Sequence, residues 1–135
     1  MVGWGECRNL SYREEPIVKI IQSIAQALKG KPAVDIRVLI NAAFNEFGQQ
    51  RPGIETYCAF AGIELALWDI LGKRLGVPVY VLLGGKLHES IPFYANIYSP
   101  YPQSTEAFAE MAALQVSNSY QIIKLYPFTV ETPIS

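Results

Sequence analysis

Residues 62–85, GIELALWDILGKRLGVPVYVLLGG, constrain the fold of this chain more than any other stretch. The helical pattern begins near Tyr57 and runs to Leu75, with Phe60, Ile63, Leu67, Ile70 and Leu71 along one face. Leu65 and Trp68 add apolar surface on another face, so the spacing predicts a helix buried on two sides. Gly76 and Pro78 stop it, because glycine accepts a left-handed cap and proline cannot extend the hydrogen-bond ladder. Gly84-Gly85 then predicts a tight turn. Asp69 and Lys73, four residues apart, can pair on the helix surface. Glu64 and Asp69 lie about 140° apart around the helix, so they do not converge as a catalytic carboxylate pair, and both read as structural.

Two helices precede this one. Ile17, Ile20, Ile21, Ile24 and Leu28 recur at helical spacing over 16–28, with Pro16 suited to a first position and Gly30 to the stop. Ile36, Leu39, Ile40, Ala43, Phe44 and Phe47 form a second stripe that Asp35 can cap and Gly48 can end. After the Gly84-Gly85 turn the period changes. IPFYANIY (91–98) reads as a strand with Pro92 near its start. Ser104 reads as the cap of a helix carrying Glu106, Phe108, Met111 and Ala112, broken by Ser117-Asn118-Ser119. QIIKLY (121–126) reads as a second strand. Strand, helix and strand in this order predict a βαβ unit of a parallel sheet, whose single pair of strands leaves open edges.

Bulk properties remove several function classes. The 135 residues carry a net charge of -1 with no basic block, which excludes an electrostatic footprint for nucleic acid. No apolar run reaches the 18 or so residues of a membrane span, and no basic-then-apolar leader opens the sequence. Cys7 and Cys58 lack CxxC spacing and read as two buried or half-buried thiols in a reducing, cytoplasmic setting. There is no P-loop, no GxGxxG and no zinc spacing. His88, the one histidine, reads as exposed, and YSPYP (98–102) as a loop between strand and helix.

The stretch Ala61–Gly85, with Gly62-Ile63-Glu64, Trp68-Asp69, Gly72-Lys73, Gly76-Val77-Pro78 and Leu83-Gly84-Gly85, resembles the signature of the mandelate racemase and muconate lactonizing enzyme branch of the enolase superfamily. Gly3-Trp4-Gly5-Glu6 resembles the Gly-x-Gly-Glu that ends a strand of that family's capping domain. Tyr94-Ala95-Asn96 resembles its first barrel strand, and Ile123–Phe128 its second, which carries a Lys-x-Lys or variant motif. The resemblance implies an α+β fold: an enolase-like N-terminal capping domain, mostly its helices, over 1–85, followed over 86–135 by the first βαβ unit of a truncated TIM barrel. It implies chemistry in which a base removes the proton next to a substrate carboxylate while magnesium stabilises the enediolate.

The resemblance also assigns candidate residues. Lys124 matches the first lysine of the motif, where it would act as base or assist the carboxylate. From pattern alone it reads as a strand-end lysine pointing into water. Tyr126 replaces the frequent second lysine, which argues against two-base racemase chemistry and leaves a substrate hydrogen bond or an ordinary strand tyrosine. Asn96, at the end of the first strand, can reach substrate or cap a turn. Arg8 and Tyr12 fall in the loop that in the family leans over the active site, where Arg8 can grip a carboxylate. As solvated surface residues they fit the pattern as well.

A TIM barrel needs about 250 residues of its own. The strands on which this family keeps its three acidic metal ligands would follow residue 135, and TVETPIS (129–135) does not read as the helix expected there. The expectation is therefore a fragment of a magnesium-dependent acid-sugar dehydratase, racemase or cycloisomerase, inactive alone. Magnesium belongs to the parent family, and no metal is expected to bind this chain alone. Its partners would be a small carboxylate substrate in the parent enzyme, and for the chain itself self-association or a full-length homologous subunit. No nucleic acid or membrane is expected. The rival readings are a non-catalytic interaction module, a partner subunit of a relative, or a truncated product without function.

Overall fold

The computed structural model describes residues 1–8, 12–49, 52–98 and 104–126. The chain divides into two compact units, Met1–Lys86 and Leu87–Ser135.

The first unit is helical. It contains α1 (Glu14–Leu28), α2 (Ile36–Phe47), α3 (Ile54–Leu75) and the single turn α4 (Val79–Leu82). The apolar stripes read from the sequence meet in one core. Ile24 from α1, Ala43 from α2, and Ala59 and Phe60 from α3 are buried together, with Ile20, Ile21, Leu28, Phe47 and Ile63 packed around them. Phe44, Tyr57 and Phe60 add a tilted aromatic trio with ring centroids 6.0–6.3 Å apart. At the helix starts, the Arg13 guanidinium donates to Glu55 Oε1 at 2.7 Å and ties α1 to α3.

Several boundaries differ from expectation for identifiable reasons. Helix α1 begins two residues before Pro16, because Glu14 and Glu15 favour the positive helix end as first-turn residues. Helix α3 begins at Ile54, three residues before Tyr57, with Gly53 rather than a side-chain cap ahead of it. Asp35 occupies the position before α2, but its side chain makes no capping bond there. The stop of α3 is as read. Gly76 takes the left-handed conformation (φ 70°), and its N–H donates back to the Gly72 carbonyl. The residue after Pro78 starts α4, a single turn too short to show a helical period in the sequence.

Helix α3 is covered on two sides, and of the second face expected from sequence Trp68 is half-buried. Leu65 remains 49% exposed. The covered face instead carries Gly62 and Ala66, and the extended segment Met1–Arg8 lies along it. A Cβ on Gly3 would overlap the Ala66 carbonyl oxygen and stand 2.6 Å from Ile70 Cγ1. One on Gly5 would overlap the Gly62 carbonyl oxygen and stand 2.6 Å from the Ala66 nitrogen. The nearest obstacle in each case is a helix carbonyl oxygen, which cannot turn aside as a side chain can.

The second unit is a βαβ unit. Strand β1 (Tyr94–Ile97) pairs in parallel with β2 (Ile122–Leu125), and α5 (Thr105–Ser117) forms the crossover between them. Both strands are shorter than the apolar runs around them, because ladder pairing covers only the four registered positions. Ala95 and Ile97 are buried, as is Phe108 of α5, which packs on β1. Ser104 caps α5 as expected, its hydroxyl accepting from the Ala107 N–H at 3.2 Å. Helix α5 runs through Ser117 before Asn118 and Ser119 end it. The segments 99–103 and 127–135, which include most of YSPYP and all of TVETPIS, lie outside the described residues.

Replacing Gly5 by alanine should lower stability by about 1–3 kcal/mol, as overpacking against fixed backbone does. Urea unfolding followed by circular dichroism measures it. A variant as stable as the parent would mean that the Met1–Arg8 segment does not pack on α3 in solution.

Candidate functional site

The alternation of β1 and β2 sorts their side chains. Ala95 and Ile97 are buried, whereas Tyr94 and Asn96 are exposed on the opposite face. Residues opposite one another in a parallel pair share a face. Register pairs Asn96 with Lys124 and Tyr94 with Ile122. Lys124 and Asn96 thus stand side by side on the open face, near the C-terminal ends of two parallel strands. Open α/β sheets and α/β barrels place their sites at this end of the strands.

The Lys124 ammonium lies 5.6 Å from the centroid of the Tyr94 ring, a cation–π contact. Among the described residues no carboxylate pairs with it. The arrangement joins a primary amine with no anionic partner to an amide that can both donate and accept. Such a pair can hold a carboxylate or move a proton. Tyr126 follows β2 directly and is 69% exposed. Tyr94 was not among the residues singled out from sequence, although its place two residues before Asn96 puts it on the same strand face.

Arg8 and Tyr12 belong to the first unit. Arg8 is exposed at the end of the segment that lies on α3. Tyr12 is 98% exposed and holds a positive φ of 64°. Residues 9–11 between them lie outside the described residues. His88 is exposed, as read from the sequence.

A second polar cluster sits on the first unit, in an open groove lined by Trp4, Glu6, Leu65, Trp68, Asp69 and Lys73. Its charges are engaged with one another. Lys73 Nζ donates to Asp69 Oδ2 at 2.6 Å and to the Val2 carbonyl at 3.1 Å. Asp69 Oδ2 also accepts from the Trp4 N–H at 2.7 Å. The sequence shows only the Asp69–Lys73 spacing. Their joint grip on the Met1–Arg8 segment comes from the fold. Glu64 accepts from Trp68 Nε1 at 3.3 Å, which agrees with a structural role. The Lys73 hydrogen bond, and then the Trp4 N–H, hold the Asp69 carboxyl below its ordinary value of 3.8.

Among the described residues no group of three His, Cys, Asp or Glu could hold a metal ion. The open strand face offers an amine, an amide and a phenol ring, a donor set that does not suit magnesium, which takes carboxylate and other oxygen ligands. No described helix is long and apolar enough to cross a membrane.

The profile for the N-terminal domain of mandelate racemase / muconate lactonizing enzyme matches residues 1–84. The chain belongs to this family. Within the mandelate racemase / muconate lactonizing enzyme family, it is 34% identical over 117 residues to the D-gluconate dehydratase of Thermoproteus tenax, covering 84% of this chain and 23% of that protein. It is 33% identical over 95 residues to the D-galactarolactone cycloisomerase of Agrobacterium fabrum, covering 70% of this chain and 24% of that one. The crystal structure of the mandelate racemase/muconate lactonizing protein from Paracoccus denitrificans PD1222, complexed with magnesium, matches with a TM-score of 0.83 at 28% identity, over 93% of this chain and 34% of that chain. The chain thus spans about a quarter of the length of these curated relatives. The observed fold is the helical part of an enolase-superfamily capping domain followed by a first βαβ unit.

A carboxylate held below its ordinary value contributes stability above its unfolded-state pKa and loses it as pH falls through the folded value. Thermal melts should therefore fall below about pH 4. Asp69→Asn should melt a few degrees lower at pH 7 and lose less on acidification. A variant with the parent's pH profile would show that Asp69 does not hold the segment.

Proposed function

We propose that this chain supplies the capping-domain helices and first barrel strands of an acid-sugar dehydratase of the enolase superfamily, and that the 135 residues are not catalytic by themselves. The observation that carries this reading is the Asn96–Lys124 pair: an amine with no anionic partner among the described residues beside an amide, on the open face of two parallel strands. Relatives named D-gluconate and D-galactonate dehydratases favour dehydration over the cycloisomerase named among them.

Dehydration of a sugar acid removes the proton beside the carboxylate and expels the neighbouring hydroxyl as water. In this reading Lys124 takes that proton or holds the carboxylate. Asn96 donates its amide N–H to a substrate oxygen, and Tyr126 offers a hydroxyl where a second lysine would make a two-base racemase. Arg8 and Tyr12 are assigned to substrate binding, Arg8 through a bidentate grip on the carboxylate. In the parent enzyme, magnesium would be held by later strands, since the described residues do not provide its ligands.

A second reading rests on the open strands. Among the described residues each strand of the pair has one partner, and Ile122 beside Lys124 is 50% exposed. Alone, the chain would cover these edges by associating with itself or with a full-length relative. Light scattering coupled to size-exclusion chromatography should show species above the 15.0 kDa monomer. A monodisperse monomer would remove this reading.

The enzymatic reading is tested on the protein as its native cells make it. Its intact mass should exceed 15.0 kDa, and it should dehydrate one or more of a panel of hexonic and hexaric acids with magnesium present. Lys124→Met should lower kcat by about 10²–10⁴-fold, the range for loss of a general base. A native protein that dehydrates these acids equally well with Lys124→Met would overturn the role of Lys124. A native product of 15.0 kDa with full activity would overturn the incomplete-enzyme reading.

A further inference from the structure

The two cysteines are 51 positions apart in sequence, yet the packing of the Met1–Arg8 segment carries one toward the other. Gly3 lies over Ala66 and Ile70, Gly5 over Gly62 and Ala66, and Cys7 over Gly62. The segment therefore runs antiparallel to α3. Two extended residues advance about 6.8 Å and one helical turn about 5.4 Å, so each odd-numbered residue meets the next turn down. The turn below Gly62 on this face carries Cys58.

Finer geometry agrees. A Cβ on Gly62 would stand 3.1 Å from Cys7 Cβ and 3.7 Å from Cys7 Sγ. Cα–Cβ bonds in a helix tilt toward its N-terminus, so the space above Gly62 that Cys7 fills opens toward Cys58. Residues four apart on a helix have Cβ atoms about 5–6 Å apart. A disulfide needs a Cβ separation of about 3.5–4.5 Å. Cys7, packed over Gly62, thus lies about one helical turn from Cys58, and closure asks the segment to shift toward that turn. The hydrogen bonds that fix the segment are made at Val2 and Trp4, which leaves Cys7 room for that shift. Both thiols are free, Cys7 half-buried and Cys58 buried.

We propose that Cys7 and Cys58 are an oxidisable pair, closed into an intramolecular disulfide by a small-molecule disulfide such as glutathione disulfide. The more accessible Cys7, as thiolate, attacks one sulfur of glutathione disulfide. A Cys7–glutathione bond forms, and one glutathione thiolate leaves. Cys58 then gives its proton to solvent and attacks Cys7 Sγ, which forms the protein disulfide and expels the second glutathione thiolate. Two protein thiols are oxidised and one glutathione disulfide is reduced to two thiols. The bond joins the segment before Arg8 to α3 and encloses α1 and α2 in the covalent loop. The position of Arg8 thereby becomes dependent on redox state.

The test equilibrates the full chain in buffers of increasing oxidised-to-reduced glutathione ratio, alkylates remaining thiols, and maps peptides by mass spectrometry. The expected result is a Cys7–Cys58 linked peptide that vanishes with dithiothreitol. Tm of the oxidised chain should rise by about 10 °C. Cys7→Ser should leave Cys58 unbridged, and Cys58→Ser should stop at a glutathione adduct on Cys7. Two separate glutathione adducts on the parent chain, bridges only between chains, or a Cys58 that stays alkylatable at the highest ratio would each overturn the proposal. The parent's peptide map decides the matter even if a serine variant fails to fold.

Discussion

Everything in the first unit depends on how closely the extended amino-terminal segment approaches α3. A chain segment can lie this close to a helix backbone only where bulky side chains are missing, and here the segment supplies glycines against Gly62 and Ala66. Gly3 and Gly5 present bare backbone to Gly62 and Ala66, and no larger residue could occupy these positions without moving the α3 backbone. That proximity lets Asp69 and Lys73, an ordinary surface pair by spacing, reach the backbone of Trp4 and Val2. An exposed ion pair by itself adds little stability. This one satisfies an N–H and a C=O that the segment would otherwise leave to water. It also sets the direction in which the segment passes down the helix toward Arg8.

The same approach explains why α3 carries two kinds of face. Toward α1 and α2 it presents Ala59, Phe60 and Ile63, which build the core by apolar burial. Toward the segment it presents small residues, where the gain comes from close backbone contact and hydrogen bonds rather than from side-chain volume. Leu65 and Trp68, apolar in sequence, fall between these faces and border the open groove. A hydropathy pattern cannot tell these cases apart, because glycine and alanine carry almost no periodic signal.

That is also the boundary of what was legible in the sequence. The stripes of α1 and α2, the Gly76 stop, the Ser104 cap and the βαβ order follow from local rules, since the apolar spacing, the left-handed glycine and the capping hydroxyl each act within a few residues. The candidate residues Lys124 and Asn96 are legible because strand motifs carry them, but their pairing across the register requires the fold. Tyr94 was overlooked because a strand tyrosine reads as generic until a lysine is known to stand over it. The grip of Asp69 and Lys73 on the segment, more than sixty residues away in sequence, leaves no local trace, although the glycines of GWGE were its outward mark. Asp35 shows the opposite error: a residue type suited to capping, in the right place, whose side chain makes no bond.

The open strand face finally limits what Lys124 can do within these residues. A lysine amine serves as a base when burial or a nearby cation weakens its hold on the proton, and when water is kept from competing for it. Two strands enclose nothing, and an enediolate needs positive charge on its oxygens in addition to a base. The described residues set an amine beside an amide by register alone, which is a matter of backbone hydrogen bonds. Enclosure and metal charge are properties of a closed barrel. The register that sets Asn96 beside Lys124 is encoded in eight strand residues, whereas activating any lysine as a base requires surroundings that a two-stranded sheet does not supply.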